Sequence, residues 1–303
     1  ITKSIAVEKK YKFFFALVDH GLRKNSNKEA LSVKKLLKKQ NLTLSILKNK
    51  QKITKNIQKN ARDIRYELLG KFCKKKNAKS LLVAHHQDDQ IETFLIRLSR
   101  GSGVEGLSSM QEMIKLKNGT RLIRPLLDFK KIDLIKIAQN IFGKTLKDPS
   151  NKNKKFLRTN IRVLKQNLEN KGINIEKISR SIKNIASTRE AIDFYVAKSI
   201  KKFVVFEKKK AILNLVKFQN EPLEIRFRIM NSVIKNISKS YYPPRSIKVL
   251  NLIEGFSNIT SKAFVNILLW FLNILFKSFG HWFDSNVFFN NLNFELLVIC
   301  FDA

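Results

Sequence analysis

The chain has 303 residues, which is long enough for two domains of ordinary size or one large one and excludes a minimal peptide. Sixty Lys and Arg against 24 Asp and Glu give a formal net charge of +36, and 44% of the residues are apolar, so the charge belongs to a folded body and not to a disordered tail. A positive field of this size favours a polyanionic partner such as nucleic acid; the alternative is a lysine-rich proteome encoded by an AT-rich genome.

The first half of the chain alternates between strand and helix patterns. Apolar or alternating stretches predict strands at 13–19, 42–46, 80–84 and 121–123. Amphipathic spacing predicts helices at 28–39, 57–72 and 91–98, and a further helix that Asp128 caps and Gly143 ends. The predicted fold class is therefore α/β, with a doubly wound, mostly parallel sheet followed by a mainly helical domain.

The character of the sequence changes at a polar turn cluster, residues 148–151. We predict an α/β domain over 1–147, a helical domain over 148–262 and an apolar tail over 263–303. The tail has one Lys, no Arg and three acidic residues, and its 14-residue apolar run at 263–276 is shorter than the roughly 20 residues of a membrane span. A buried helix is one interpretation of the tail, and a shifted reading frame is the other.

The cysteines and the N-terminus bear on the cellular setting. Cys73 and Cys300 are far apart and form no Cys-x-x-Cys, which argues against a disulfide framework, a zinc ribbon or an iron–sulfur cluster. A reducing, cytoplasmic setting is expected. The N-terminus shows no signal sequence, and the first methionine is Met110, so we expect the chain to begin within a longer gene product.

The most informative stretch is the run of residues 81–93, in which an apolar strand delivers two histidines and two aspartates onto the start of a helix. The first turn of a helix stabilises negative charge, and a glutamate follows on the same face. Converging carboxylates suit Mg²⁺ or the ammonium group of an amine substrate, whereas the alternative is helix capping with a solvated face. The predicted catalytic residues are His85, His86, Asp88, Asp89 and Glu92, of which Asp89 and Glu92 are also the candidate Mg²⁺ ligands.

Three further groups are candidate contacts for nucleotide phosphates. The glycine-containing loop after this helix allows the backbone to approach a ligand closely. Two pairs of arginines each project from one side of a predicted helix, where they could reach phosphates, although solvated arginines are the commoner explanation for either pair alone. The predicted contacts are Arg62, Arg65, Arg100, Gly101, Ser102, Gly103, Arg158 and Arg162.

Taken in order, these motifs resemble the tRNA(Ile)-lysidine synthases, which are PP-loop (N-type) ATP pyrophosphatases. The resemblance is close from about residue 13 to residue 162, with one departure at Thr159, where the family usually has Asn. It rests on the motifs Val18–Arg23, Ala61–Tyr66, His85–Thr93, Arg100–Leu107, Arg124–Leu127 and Asp148–Asn151.

The resemblance implies a ligase. ATP adenylates C2 of the wobble cytidine in the CAU anticodon of an isoleucine tRNA, and the ε-amine of free L-lysine then displaces AMP. ATP and Mg²⁺ are the implied cofactors, with tRNA(Ile) and L-lysine as partners, no membrane, a cytoplasmic location and a homodimer as one expected assembly. The helical domain is expected to contact the tRNA, and Asp89 and Glu92 are expected to hold lysine or Mg²⁺.

One part of the family pattern is missing from the sequence. A Ser-Gly-Gly-x-Asp-Ser loop should precede the first strand, yet the chain contains no Gly-Gly dipeptide. The backbone N–H groups of such a loop cradle phosphate, so we predict that this chain has no ATP phosphate loop and does not adenylate tRNA by itself. The family's C-terminal tRNA-binding domain is also expected to be absent or scrambled after about residue 262.

Two other functions stay open at this point. The chain could be a catalytically inactive, basic tRNA-binding remnant, which the missing loop favours. It could also be another PP-loop tRNA-modifying enzyme, such as a 2-thiocytidine synthetase. That chemistry needs a cysteine persulfide or a cluster, and Cys73 has no nearby partner Cys in the sequence.

Overall fold

A computed structural model describes most of the chain before the tail. The described residues are 2, 5, 8, 10, 12–22, 25–51, 53, 57–116, 118–143, 157–207, 210–238, 246–257 and 264–268. The contacts between Cα atoms divide the chain into two units, Ile1–Ala186 and Ser187–Ala303. The predicted boundary at residue 148 and nearly all of the predicted tail lie outside the described residues, so the three-domain division stays a prediction.

The first unit is built from short strands and the helices that connect them. Its strands are β1 (Phe15–Asp19), β2 (Leu44–Lys48), β3 (Ser80–Leu82), β4 (Met113–Lys115) and β5 (Arg121–Ile123). Its helices are α1 (Ser26–Lys38), α2 (Ile57–Lys75), α3 (Gln87–Leu98), α4 (Val104–Leu107), α5 (Lys131–Phe142) and α6 (Leu157–Asn170), followed by α7 (Ile175–Phe203), which continues into the second unit.

The strands confirm the predicted α/β class. β1 pairs in parallel with β2, and β3 pairs in parallel with β5, while β4 joins β5 in the antiparallel direction. Among the described residues the strands form two sheets, β1–β2 and β3–β5–β4, and helix α2 packs against both β1 and β3. Alternation in sequence predicts that strands run parallel, but it does not determine which strands are neighbours, because pairing is a long-range contact.

Helix α5 shows one correction to the sequence analysis. It ends at Gly143, whose φ of 70° is the left-handed conformation that glycine adopts readily, as predicted. Asp128 does not cap it: the N-cap is Lys130, and Asp128 instead forms an ion pair with Lys183 at 2.8 Å. The chain makes an additional turn after Leu126, which moves the helix start beyond the reach of the aspartate.

A small apolar cluster holds α6 and the start of α7 against α3. Ile91 and Leu95 of α3 are buried with Ile161 of α6 and Ile182 of α7. The side chains at positions 91 and 95 share one face of α3, which is the face opposite to solvent. This packing brings the basic residues of α6 to the acidic start of α3.

The second unit is mainly helical, as predicted, and also contains a small antiparallel sheet that the sequence analysis missed. The sheet order is β6 (Val204–Phe206), β7 (Lys210–Asn214) and β8 (Phe264–Leu268). The helices are the end of α7, α8 (Leu215–Gln219), α9 (Leu223–Ser238) and α10 (Ser246–Ser257), packed around one apolar core. Within the described part of the chain, no helix combines the length and apolar character needed to cross a membrane.

Candidate active site

The start of helix α3 positions the central residues of the predicted site. After β3 the chain stays extended, and His86 is the N-cap of α3, with a backbone bridge to Leu126. Asp89 turns back and accepts a hydrogen bond from the backbone N–H of His86 at 3.1 Å. The reciprocal geometry satisfies a donor that the helix itself leaves unpaired, so Asp89 is held in one place at the carboxyl end of the strand.

The three predicted carboxylates do converge, and helix α6 supplies cations to two of them. Arg162 donates two hydrogen bonds to Glu92, at 2.5 Å from Nε to Oε1 and 3.3 Å from Nη2 to Oε2. Lys165 donates to Asp88, which also accepts from the backbone N–H of Lys131 at 3.2 Å. Glu92 is only 3% exposed, so the guanidinium compensates a carboxylate that water does not reach.

These contacts shift the pKa values of Asp88 and Arg162. Burial alone would raise the pKa of Asp88, but the hydrogen bond and positive charge of Lys165, with the N–H of Lys131, lower it below its usual value. The hydrogen bond to Glu92 raises the pKa of Arg162. The Asp88 carboxylate and the Arg162 guanidinium are therefore both charged at neutral pH.

His85 lies among several charges and is itself uncharged. Burial lowers its pKa to about 4, opposed by the charge of Asp89 and reinforced by the charges of Arg124, Arg62 and Arg158. Its Nδ1 is buried and has no hydrogen-bond partner among the described residues. The structure therefore brings two predicted arginine contacts, Arg62 and Arg158, to the predicted histidine, together with Arg124, which the sequence analysis placed in a motif without a role.

The ring of His86 lies between the two aspartates of the first turn. Its Nδ1 is 3.8 Å from Oδ2 of Asp88, and its Nε2 is 3.5 Å from Oδ2 of Asp89. The imidazole of His86 therefore lies within reach of a group bound at either aspartate.

A second histidine environment lies at the end of β1. Asp19 is buried and accepts a hydrogen bond from the N–H of Gly21 at 3.0 Å, and Gly21 has a φ of 65°. Burial lowers the pKa of the neighbouring His20, and the charge of Arg65 lowers it further, against the opposing charge of Asp19. The predicted contact Arg65 thus lies by His20, one helical turn from Arg62 on α2.

The glycine loop is not brought to this cluster. Arg100–Gly103 follows the far end of α3, about 18 Å along the helix from its first turn. Gly101 has a φ of 65°, and a Cβ on Gly106 would lie 2.5 Å from Cβ of Ser102, so the loop is tightly folded on itself. Arg100, Gly101, Ser102 and Gly103 stay predicted contacts without support from the geometry of the histidine cluster.

Gln90 and Arg97 hold helix α3 to the segment that follows the glycine loop. The amide of Gln90 exchanges two hydrogen bonds with the backbone of Met110, at 2.8 and 2.7 Å. Arg97 donates to the carbonyls of Gly106 and Ser109, at 2.7 and 3.0 Å. These bonds fix the helix whose first turn carries the carboxylates.

The donor set does not fit a resident metal ion at Asp89 and Glu92. In the described residues, no group of three or more His, Cys, Asp or Glu is arranged to hold a metal. Glu92 is instead bound by the guanidinium of Arg162, which supplies the charge that an ion would supply. We therefore derive no step from Mg²⁺ bound at this pair.

Lys165 is a site residue that the sequence analysis did not identify. Arg158, Arg162 and Lys165 are spaced at i, i+4 and i+7, which places them along one face of a helix. That spacing is a visible signal for a basic helix face. The partner of the face is not visible, because Asp88 lies 77 residues earlier in the chain.

Comparisons with known proteins agree on one family. The family model described as the PP-loop domain matches residues 1–168. The chain is 39% identical over 248 residues to the tRNA(Ile)-lysidine synthase of Wolbachia pipientis wMel, covering 81% of this chain and 57% of that protein. For the protein of the same name from Wolbachia sp. subsp. Brugia malayi (strain TRS), the identity is 38%, over 67% of this chain and 46% of that one.

A third relative is covered more fully. The tRNA(Ile)-lysidine synthase of Rhodopseudomonas palustris (strain ATCC BAA-98 / CGA009) is 32% identical over 250 residues, which are 81% of this chain and 71% of that protein. The chain spans about half the length of the two Wolbachia proteins.

Proposed function

The chain belongs to the tRNA(Ile)-lysidine synthases, a family of ATP-using PP-loop proteins, and from this premise we propose that it modifies tRNA. The proposed reaction ligates free L-lysine to C2 of the wobble cytidine of tRNA(Ile) with a CAU anticodon. It consumes ATP and releases AMP and pyrophosphate, in the cytoplasm. The product is lysidine.

The observation that carries the proposal is the cluster of guanidinium groups around an uncharged histidine. Arg62, Arg124 and Arg158 all act on His85, at the carboxyl end of β3. Ligands of parallel α/β sheets bind at this edge, and arginine suits phosphate because its donors form a planar fork. We propose that these side chains bind the phosphates of ATP and stabilise the departing pyrophosphate.

Asp89 is the carboxylate best placed for the ammonium group of lysine. Unlike Asp88 and Glu92, it accepts no hydrogen bond from a Lys or Arg side chain within the described part of the chain. The carboxylate of Asp89 contacts His86 twice, through the backbone N–H at 3.1 Å and through Nε2 of the ring at 3.5 Å. An ammonium group bound at Asp89 lies beside the imidazole of His86. We propose that His86 takes the proton that the ammonium group must lose before the neutral amine can attack.

The proposed reaction has two steps. The oxygen on C2 of the cytidine attacks the α-phosphorus of ATP, and the bond to pyrophosphate breaks. The ammonium group of lysine gives one proton to His86, the resulting ε-amine attacks C2, and the bond from C2 to the oxygen of AMP breaks. Mg²⁺ is proposed to arrive with the phosphates of ATP, and the net charge of +36 supports binding of the tRNA.

The proposal is tested by incorporation of labelled lysine into a tRNA(Ile) transcript with a CAU anticodon. With a Ser-Gly-Gly-x-Asp-Ser segment joined ahead of β1, we expect incorporation that depends on ATP and is lost when the wobble C is replaced by U. The chain without that segment is expected to bind the transcript and not to incorporate lysine. Failure of the joined form to incorporate lysine, with tRNA binding retained, supports the inactive-remnant alternative.

A matched pair of variants sharpens the assignment of Asp89. Asp89→Asn keeps an oxygen that accepts the hydrogen bond from His86 and removes the charge, so we expect the KM for lysine to rise at least about tenfold with little change in the KM for ATP. Asp128→Asn removes an exposed carboxylate of the same unit and serves as the control. Equal effects of the two variants contradict the assignment.

The thiolation alternative gains no support from Cys73. The thiol is buried, and burial raises its pKa, so little of the reactive thiolate forms at neutral pH. Cys300 lies outside the described residues. A homodimer stays a prediction that the molar mass in solution can test.

A further inference from the structure

The outer face of α7 in the second unit carries a strongly exposed phenyl ring. Phe194 is 75% exposed, the largest fraction among the exposed large apolar side chains of the described residues. The adjacent Tyr195 is engaged: a hydrogen bond with Glu221 raises its pKa. The aromatic ring of Phe194 takes part in no ring contact or cation–π pair in the described part of the chain.

Helix geometry explains why the ring stands clear of its neighbours. Val196 and Phe203 are buried on the opposite side of α7, so Phe194 projects away from the core. The residues three before and three after it are Ala191 and Ala197, both exposed and both too small to cover a ring. A flat apolar surface is therefore open to a planar partner.

Two lysines lie on the same helix face. Lys198 and Lys201 follow Phe194 by four and seven residues, which is about 6 Å and about 10 Å along the axis. Both are exposed, and neither forms a hydrogen bond or ion pair within the residues that the structure describes. An acidic residue, Glu190, lies one turn before the ring, whereas both lysines follow the ring.

We propose that Phe194, Lys198 and Lys201 form an RNA-contact surface, on which an unpaired base stacks on the ring while the lysines contact the adjoining phosphates. Every base has a flat face, and a base on an aromatic ring beside basic side chains is the arrangement by which proteins bind unpaired nucleotides. This inference rests on the proposed function in that the RNA is the tRNA substrate. An acidic protein could contact the lysines, but it would not need the ring.

The test measures binding of the full chain to a fluorescent tRNA(Ile) transcript and to a blunt-ended RNA duplex of similar length. Phe194→Ala is expected to weaken tRNA binding at least about fivefold and to leave duplex binding within twofold, because only the tRNA offers unpaired bases. Phe194→Tyr keeps the ring and is expected to bind as the parent does. The control is Ile247→Ala, which trims an apolar side chain of the same unit that is 61% exposed.

The lysines are tested through the salt dependence of binding. The double variant Lys198→Gln, Lys201→Gln is expected to reduce the slope of log Kd against log salt concentration by about 1.4, from about 0.7 for each lost phosphate contact on a single strand. A full loss of affinity in the lysine variant with no effect of Phe194→Ala indicates an electrostatic contact only and overturns the stacking surface.

Other outcomes separate this inference from the proposed function. If the parent chain binds tRNA and Phe194→Ala behaves like Ile247→Ala, the surface is refuted and the proposed function stands. If Phe194→Ala weakens duplex and tRNA binding equally, stacking on an unpaired base is refuted. If the parent chain binds no tRNA, both fail together. Melting temperatures check that the variants fold, and little change is expected because the side chains are exposed.

Discussion

Each unit of the chain holds a guanidinium group against carboxylates, but the buried partner differs. In the first unit, Arg162 binds Glu92, and the acid is the buried group at 3% exposure. In the second unit, Arg228 is the buried group at 5% exposure, and it donates to Glu224 at 2.7 Å and to Asp193 at 2.9 Å. Those two acids are about half exposed and keep contact with water.

The surroundings of the two pairs differ as well. In the first unit the charge of Asp89 acts both on Arg162 and on the uncharged His85, on which Arg62, Arg124 and Arg158 also act. The core next to Arg228 in the second unit is made of apolar side chains. A buried ion pair is therefore not by itself a sign of a functional site. What distinguishes the first unit is that Arg62, Arg124 and Arg158 act together on one buried, uncharged histidine.

The largest effect is expected from Glu92→Gln. The amide keeps the shape of the side chain but leaves Arg162 without its counter-charge, so the free energy of unfolding should fall by about 2–3 kcal/mol. In the form that carries the added Ser-Gly-Gly-x-Asp-Ser segment, lysine incorporation should fall at least about 100-fold, because α6 then no longer fixes its basic face against α3. Urea unfolding and the incorporation assay measure both, with the exposed Glu112→Gln as control. Activity within threefold of the parent would show that this pair is only structural.

A smaller effect is expected from Lys165→Met. Lys165 lowers the pKa of Asp88 in the folded protein, so this contact stabilises the fold above the unfolded pKa of about 3.9 and is lost as pH falls through the lower folded pKa. At pH 7 we expect a loss of about 1 kcal/mol, allowing for partial solvation of the pair. Lys165→Arg should recover most of it. A stability difference between Lys165→Met and the parent that does not shrink as the pH falls below about 3.9 is the contrary result.

The lowered pKa of His85 predicts that the stability of the first unit depends on pH. Its pKa is lowered to about 4 in the folded protein from about 6.5 in the unfolded chain, so the unfolded chain binds more protons between these values. Stability should therefore fall as pH decreases from 6.5 to 4, and His85→Gln should remove this part of the dependence. Thermal melting across that range measures it. If the melting temperatures of parent and variant changed equally with pH, the conclusion that His85 is buried in its neutral form would be refuted.

Arg228→Met tests the buried guanidinium of the second unit. Methionine fills the space with apolar atoms, and the half-exposed Glu224 and Asp193 can return to water, so we expect a change in unfolding free energy within about 1 kcal/mol. Lysine incorporation should not change. A loss as large as that of Glu92→Gln would mean that the two pairs are equivalent in energy and that the comparison between the units is wrong.

The smallest effect is expected at the surface of α2. Lys71 and Glu67 form an exposed i, i+4 pair at 2.5 Å. Exposed pairs of this kind contribute little because water screens them, so Lys71→Ala should change stability by no more than about 0.5 kcal/mol. Denaturant unfolding provides the baseline for the larger effects. A change above 1 kcal/mol would show that the ranking by burial does not hold in this protein.

Local structure was predictable to the extent that it depends on local contacts. The strand at Ser80–Leu82, the helix at Gln87–Leu98 and the helix end at Gly143 follow from apolar patterning, capping and glycine conformation. The strands β4, β6, β7 and β8 were missed. Three to five residues give a short pattern, and β8 lies in the apolar run for which a buried helix was one interpretation. The cap assigned to Asp128 was wrong because a turn after Leu126 moves the start of the helix to Lys130, and the sequence pattern does not show that turn.

The amino-acid sequence by itself determined which chemical groups the protein has and the order in which the helices and strands present them. It predicted that Asp88, Asp89 and Glu92 meet at the start of one helix, because the spacing of a helix is a local property.

Only the tertiary structure decided what those groups bind. Glu92 meets Arg162 across 70 residues, and Asp88 meets Lys165 across 77, because Ile91 and Ile161 pack in one apolar cluster. Burial of apolar surface is not directional, so no pattern within one helix specifies its partner. That packing pairs Glu92 with Arg162 and Asp88 with Lys165. Asp89, beside His86, is the carboxylate that we propose for lysine.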